Sequence, residues 1–173
     1  LFGLLVYFTS KGPILFKQER VGLHGRKFHQ YKLRSMIVDA EELKEKYAHL
    51  NQQSGPVFKI KDDPRLTKIG KLMRKYSIDE LPQLFNILLG SMTLIGPRPP
   101  VPSEVSKYKD NHLRRLAMKP GITGLWQVSG RNQIKDFDQW VKLDLEYIEN
   151  WSFLMDFKIA IKTVSTVLSG TGM

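Results

Sequence analysis

The stretch SIDELPQLFN, residues 77–86, places two carboxylates, Asp79 and Glu80, side by side just ahead of a proline and an apolar run. Two readings compete for it. Ser77-x-x-Glu80 has the form of a capping box, in which the serine oxygen and the glutamate side chain satisfy each other's orphan backbone donors. In that register Pro82 falls about one turn into the helix, where its ring and missing N–H cost about 3 kcal/mol. A later start avoids this cost, with Pro82 at the first helical position and Gly90 just past the end. Leu81 is then pushed toward an extended conformation, and Asp79 and Glu80 sit on a short loop at the positive end of a helix.

Upstream lies DDPRLTKIGKLMRKY, residues 62–76. Asp63 before Pro64 is a helix start and Thr67 a second candidate cap, with Leu66, Ile69, Met73 and Tyr76 at helical spacing on one face. Lys68, Lys71, Arg74 and Lys75 occupy the other faces, which alone reads as a solvated basic surface. What raises the alternative is that this helix delivers Arg74 and Lys75 to the dyad. The field there favours an anionic substrate and ionised carboxylates alike. An ionised aspartate needs no general base to attack; its obstacle at a phosphate ester is charge repulsion, which Mg²⁺, arginine and lysine offset. Spacing alone leaves the helix cap as the commoner use of such a dipeptide.

Downstream, GSMTLIGPRPP, residues 90–100, holds Arg98 between Pro97 and Pro99, on a segment with little backbone freedom to lose on binding. An exposed arginine on a turn is the plain reading. KPGITGLWQVSGR, residues 119–131, sets Gly121, Gly124 and Gly130 around a β-like run that ends at Arg131. Such glycines serve tight turns more often than close approach to a ligand.

Nearer the start, runs rich in Ile, Phe, Val and Tyr at residues 14–21 and 28–33 flank the turn-forming GLHG and predict a β-hairpin. Residues 39–50, acidic first and basic later, read as a helix, and residues 51–56, NQQSGP, as a loop. Near the end, Phe137, Trp140, Val141, Ile148 and Trp151 form a helical stripe, followed by an apolar helix carrying Lys158 and Lys162. The stripe is either a core-packing face or part of an amphipathic surface lying among lipid headgroups. The expected fold is α+β, mainly α-helical, with a small N-terminal β-hairpin and the dyad at a loop-to-helix junction.

Composition bounds the partners. The 173 residues suit one domain, and Lys plus Arg outnumber Asp plus Glu by 27 to 17, a formal charge of +10 that points to an anionic partner. With no cysteine there is neither a disulfide framework nor a thiolate metal site, and a reducing, cytosol-facing location fits. His24, His29, His49 and His112 lack metal-ligand spacing, which speaks against zinc. The opening LFGLLVYF is apolar for eight residues, short of the roughly 20 of a membrane-spanning helix, and has no signal-peptide pattern. A nucleic-acid-binding module fits the charge but lacks a recognition motif or a stacking surface. A non-catalytic peripheral membrane scaffold is the other rival.

Taken in order, GPILFKQERVG, YKLRSM, DDPRLTKIGKLMRK, SIDELPQLFNILLG, GPRPP, KPGITGLWQVSGR and LDLEYIENWSFLMDFKI resemble the bacterial sugar transferase family, the monotopic polyprenyl-phosphate phosphoglycosyl transferases. The resemblance covers almost the whole chain. It implies that Asp79 attacks the sugar-proximal phosphorus of a UDP-sugar, releases UMP and carries a phosphosugar that undecaprenyl phosphate then takes. Glu80 matches the partner acid, Mg²⁺ is the family's metal with Asp79 as its most direct ligand, and Arg98, with Pro97 and Pro99, matches the nucleotide-binding element. Lys32, Arg74 and Arg131 match basic positions around the phosphates, each of which an ordinary surface cation also explains. Asp144 and Asp156 fall on family positions that a structural role accounts for equally well. Ser91 stands where the family usually has aspartate.

The resemblance also implies that residues 1–13 are the returning half of a truncated N-terminal membrane hairpin, and residues 14–173 a catalytic domain. It sets the protein at the cytoplasmic face of the bacterial inner membrane, in contact with the membrane surface and not with nucleic acid. The sugar, glucose or galactose by resemblance, and the oligomeric state, a homo-oligomer included, stay open.

Overall fold

A computed structural model of the chain describes residues 1–130 and 133–170. The hairpin forms as expected. Strand β1 (Leu15–Val21) pairs antiparallel with β2 (Lys27–Leu33), with Leu15 opposite Leu33 and Val21 opposite Lys27. The reversal runs through a 3₁₀ turn at Leu23–Gly25, where His24 and Gly25 both take positive φ, at 54° and 79°.

The helix expected over residues 39–50 shrinks to one turn, α1 being Phe2–Thr9 and α2 Leu43–Lys46, followed by a 3₁₀ turn at Ala48–Leu50. Neither turn buries a residue, and a short helix without a packed face is marginal in water. Helix α3 (Lys68–Lys75) starts at the second of the two candidate caps: Thr67 Oγ1 accepts from the Gly70 N–H at 2.9 Å. Asp63 is occupied instead by a buried ion pair with Arg65 at 2.6 Å. Met73, on the predicted apolar face, is fully buried.

Helix α4 (Gln83–Leu88) is tied to the hairpin by Asn86, whose side-chain oxygen accepts from Tyr31 N–H at 3.0 Å and whose amide donates to the His29 carbonyl at 2.7 Å. A second sheet was not legible: the three-residue strands β3 (Thr93–Ile95) and β4 (Gly121–Thr123) pair in parallel. The β-like run of residues 119–131 is therefore strand only as far as Thr123, and Leu125–Val128 is a helical turn, α7, after the short α5 (Pro102–Val105) and α6 (Asp110–Leu113). A Cβ on Gly121 would stand 2.2 Å from the Gly96 nitrogen, so close backbone approach explains this glycine.

Helix α8 (Phe137–Glu149) carries the aromatic stripe, and its first half is core: Phe137, Trp140 and Val141 pack with Val57 and Trp126. Trp126 stacks on Trp140 at 3.8 Å. Beneath them Arg115 and Asp144 form an ion pair at 2.7 Å, each side chain 1% exposed. Helix α9 (Phe153–Leu168) follows, capped by Ser152, and leaves Phe153, Leu154, Phe157, Ile161, Val164 and Leu168 exposed. In α1 only Val6 is buried, while Leu4, Tyr7 and Phe8 face outward. Among the described residues no helix is long and apolar enough to cross a membrane.

Candidate active site

The capping box does not form. Ser77 is left-handed, with φ of 53°, and makes no side-chain cap; Ile78–Glu80 is a 3₁₀ turn, and α4 begins after Pro82. Gly90, at φ of 75°, closes the other end. The later register thus holds, with proline one position ahead of the first helical residue, but Leu81 is not extended as expected: at φ −53° and ψ −37° it continues the 3₁₀ turn into α4. The left-handed serine reverses the chain sharply at the end of α3, which brings Asp79 back to 3.9 Å from Arg74 Nε. Asp79 is only 4% exposed. Glu80 turns to the hairpin instead, where its Oε1 accepts from Lys32 Nζ at 2.9 Å. Arg74 Nε also donates to Ser35 Oγ at 2.9 Å.

These side chains line one cavity of about 300 Å³ between the hairpin, α3, α4 and the core aromatics. Burial holds Lys32 below the ordinary lysine value, against the pull of Glu80 and Asp79. Burial likewise lowers Arg74, opposed first by Asp79. Charge is thus costly here, and the cations are kept by acidic partners.

Arg98 lines the same cavity but is not a loose surface arginine. Its guanidinium meets Glu104 Oε2 at 3.1 Å and lies over the Trp140 ring at 5.4 Å. Pro99 also lines the cavity, whereas the Pro97 carbonyl accepts from the Gly121 N–H at 3.0 Å and so anchors the segment from outside. Burial pushes the Glu104 carboxyl up, but Arg98, Arg20 and its hydrogen bonds outweigh this and hold it below the ordinary value.

Arg20 is, with Glu104, Gln53 and Gln127, a cavity residue that sequence reasoning missed. It is 7% exposed, donates through Nη1 to the Pro99 carbonyl at 2.9 Å and through Nη2 to Gln18 Oε1 at 2.6 Å. Burial and neighbouring Arg98 push it down to about 9, against Glu104 and Glu80. Within KQER it reads as a surface charge on a hairpin; only the contact of β1 with the segment ending at Pro100 buries it, Val21 N–H donating to the Pro100 carbonyl at 2.9 Å.

The remaining candidates are set apart. Asp144 is the ion-pair partner of Arg115. Asp156 accepts from Tyr147 Oη at 2.7 Å and from Trp151 Nε1 at 3.2 Å, bracing α8 against α9. Ser91 Oγ donates to the Asn86 carbonyl at 3.0 Å, so it closes the end of α4 and does not line the cavity. Arg131 lies outside the described residues. His112 is structural: its Nδ1 accepts from Lys109 N–H at 3.2 Å and its Nε2 meets Asp138 at 2.8 Å.

Among the described residues no three His, Cys, Asp or Glu side chains converge as a metal cage. The Asp79 carboxylate, a hard oxygen donor on the cavity wall, is the residue that would hold Mg²⁺, which would supply charge neutralisation beside a bound phosphate. A buried aspartate facing cations can meet a phosphorus centre, and the arginines and lysine offset the charge repulsion.

The family model described as bacterial sugar transferase matches residues 1–170. Galactosyl transferase CpsE of Streptococcus agalactiae serotype III is 57% identical over 161 residues, 93% of this chain and 36% of that protein. Undecaprenyl-phosphate galactose phosphotransferase of Salmonella typhimurium is 45% identical over 178 residues, 98% of this chain and 37% of the relative. UDP-glucose:undecaprenyl-phosphate glucose-1-phosphate transferase of Klebsiella pneumoniae is 39% identical over 163 residues, 90% and 33% respectively. The chain spans about a third of the length of these relatives. With a match that runs through the hairpin, the dyad, the cavity wall and both long helices, the chain belongs to the bacterial sugar transferase family.

Proposed function

We propose that this chain carries the catalytic site of a phosphoglycosyl transferase, moving a sugar phosphate from a UDP-sugar to undecaprenyl phosphate at the start of exopolysaccharide, capsule or O-antigen assembly. The observation that carries this reading is buried Asp79, at 3.9 Å from Arg74, on a cavity also lined by Lys32, Arg20 and Arg98. The names of the Salmonella and Klebsiella relatives supply the acceptor, and a galactose- or glucose-type donor.

In this reading an Asp79 oxygen attacks the phosphorus that bears the sugar, the bond from that phosphorus to the UMP oxygen breaks, and UMP leaves. A phosphate oxygen of undecaprenyl phosphate then attacks the same phosphorus, frees Asp79 and yields the lipid diphosphosugar. Arg74, Lys32, Arg20 and Arg98 spread the negative charge that gathers on the phosphoryl oxygens. Glu80, fixed by Lys32 at 2.9 Å, is oriented to assist the acceptor or hold the site's geometry. Mg²⁺, held by Asp79 together with substrate phosphates, would supply further charge neutralisation. The apolar residues exposed on α9 and the charge of +10 support work at an anionic membrane surface, on the cytoplasmic face of the inner membrane.

The test is UMP release by the full-length protein in detergent with Mg²⁺ and UDP-glucose or UDP-galactose. Sustained release should require undecaprenyl phosphate, with a single stoichiometric burst in its absence. Asp79→Asn should lower both by more than about 10³-fold; unchanged release from that variant contradicts the proposal.

A further inference from the structure

The groups along the cavity follow a fixed order. Asp79 stands with Arg74 at 3.9 Å, and beside it Glu80 with Lys32 at 2.9 Å. Arg20 feels the charges of both Glu80 and Arg98. Arg98 lies over Trp140 at 5.4 Å, and Trp140 stacks on Trp126 at 3.8 Å. The wall thus runs from a reactive carboxylate, through cations, to aromatic rings.

Among the described residues, the polar atoms buried at the aromatic end without a hydrogen-bond partner include Trp126 Nε1, Gln127 Oε1 and Gln53 Oε1. All three residues line the cavity, and Trp126 is 6% exposed. Each glutamine amide is fixed from its other side, because Gln127 Nε2 donates to the Ile122 carbonyl at 2.9 Å and Gln53 Nε2 to the Ile134 carbonyl at 3.2 Å. Both oxygens are thereby left as acceptors and the indole as a donor. A buried donor or acceptor left unpaired costs about 1–3 kcal/mol, a cost that a ligand carrying the matching groups removes.

We propose that this aromatic end is a nucleobase subsite that takes uracil, with Trp126 donating to a base carbonyl and the two glutamine oxygens accepting from the imide N–H and a ribose hydroxyl. Arg20 and Arg98 then span the diphosphate, and the sugar-bearing phosphorus falls at Asp79. The inference rests on the sugar-nucleotide reading above and adds the groups that read the base. Cytosine has a bare ring nitrogen in place of the imide N–H and an amino group in place of one carbonyl. It would set acceptor against acceptor, so the subsite selects uracil.

Calorimetric titration of the full-length detergent-solubilised protein with UMP, CMP and inorganic diphosphate tests this, on the native protein, Trp126→Phe and Gln127→Leu. UMP should bind at least about tenfold more tightly than CMP. Each variant should weaken UMP by roughly fivefold to tenfold and leave diphosphate unchanged. Equal affinity for UMP and CMP, no UMP binding, or equal losses of UMP and diphosphate in both variants would overturn the subsite. Trp126→Phe keeps an aromatic ring in the core, so the answer does not depend on Gln127→Leu folding. UMP release from a UDP-sugar without a preference for uracil over cytosine sinks the subsite alone, whereas absence of any UMP release sinks the proposed function.

Discussion

Glu104 holds together the electrostatics behind the Pro97–Pro99 segment. Its carboxylate accepts from Val101 N–H at 3.1 Å and pairs with Arg98 at 3.1 Å, while Arg20 lies close enough to lower its pKa further. Since its folded pKa lies below the ordinary 4.5, its contribution to stability is complete above about pH 4.5 and is lost as pH falls through the folded value. Glu104→Gln should cost on the order of 2 kcal/mol at pH 7. It should also flatten the fall in Tm below pH 4.5 relative to the native protein, measured by thermal melts across pH; parallel curves would contradict this. The placement of the dyad was legible because Pro82 left one economical register, and the family resemblance singled out Asp79 as its candidate nucleophile. Arg20 and the Arg115–Asp144 pair were not, since each depends on a contact between segments far apart in the chain, 79 residues in the bond from Arg20 to Pro99.

At the scale of the element, α3 is the lever that sets Arg74 against Asp79, and Gly70 is what lets it seat. A Cβ there would lie 1.8 Å from the Ser35 carbonyl oxygen, and Ser35 itself follows β2 and bonds Arg74 through its hydroxyl. Gly70→Ala should therefore cost on the order of 3 kcal/mol in thermal unfolding despite alanine's better helix propensity, far more than the about 1 kcal/mol expected for loss of the Thr67 cap. A stabilised Gly70→Ala would show that α3 does not pack in this way. Helix α3 was readable from its period and cap. The second sheet was not, because strands of three residues separated by residues 96–120 carry no alternation to detect, and their pairing depends on the close backbone approach at Gly96 and Gly121.

Across the whole molecule, polar and apolar surface are distributed unevenly. Leu84, Phe85 and Leu88 on α4 and Phe153, Phe157, Ile161 and Val164 on α9 are exposed on a chain of charge +10. The membrane-surface proposal expects co-sedimentation with phosphatidylglycerol vesicles that weakens with salt and falls at least about tenfold in the triple variant Phe153→Ser, Phe157→Ser, Ile161→Ser. Equal binding by the variant would place the contact elsewhere. The sequence stripe from Phe137 to Trp151 proved mainly core, since α8 packs on Trp126, and it is the following helix that presents apolar side chains outward. Bonding of Asp79 to phosphorus is read by intact-protein mass spectrometry after UDP-sugar is added without lipid acceptor. The protein should gain the mass of one hexose phosphate on the peptide containing Asp79, a gain absent from Asp79→Asn and discharged by undecaprenyl phosphate; an unmodified mass under conditions that yield product would rule out the covalent step.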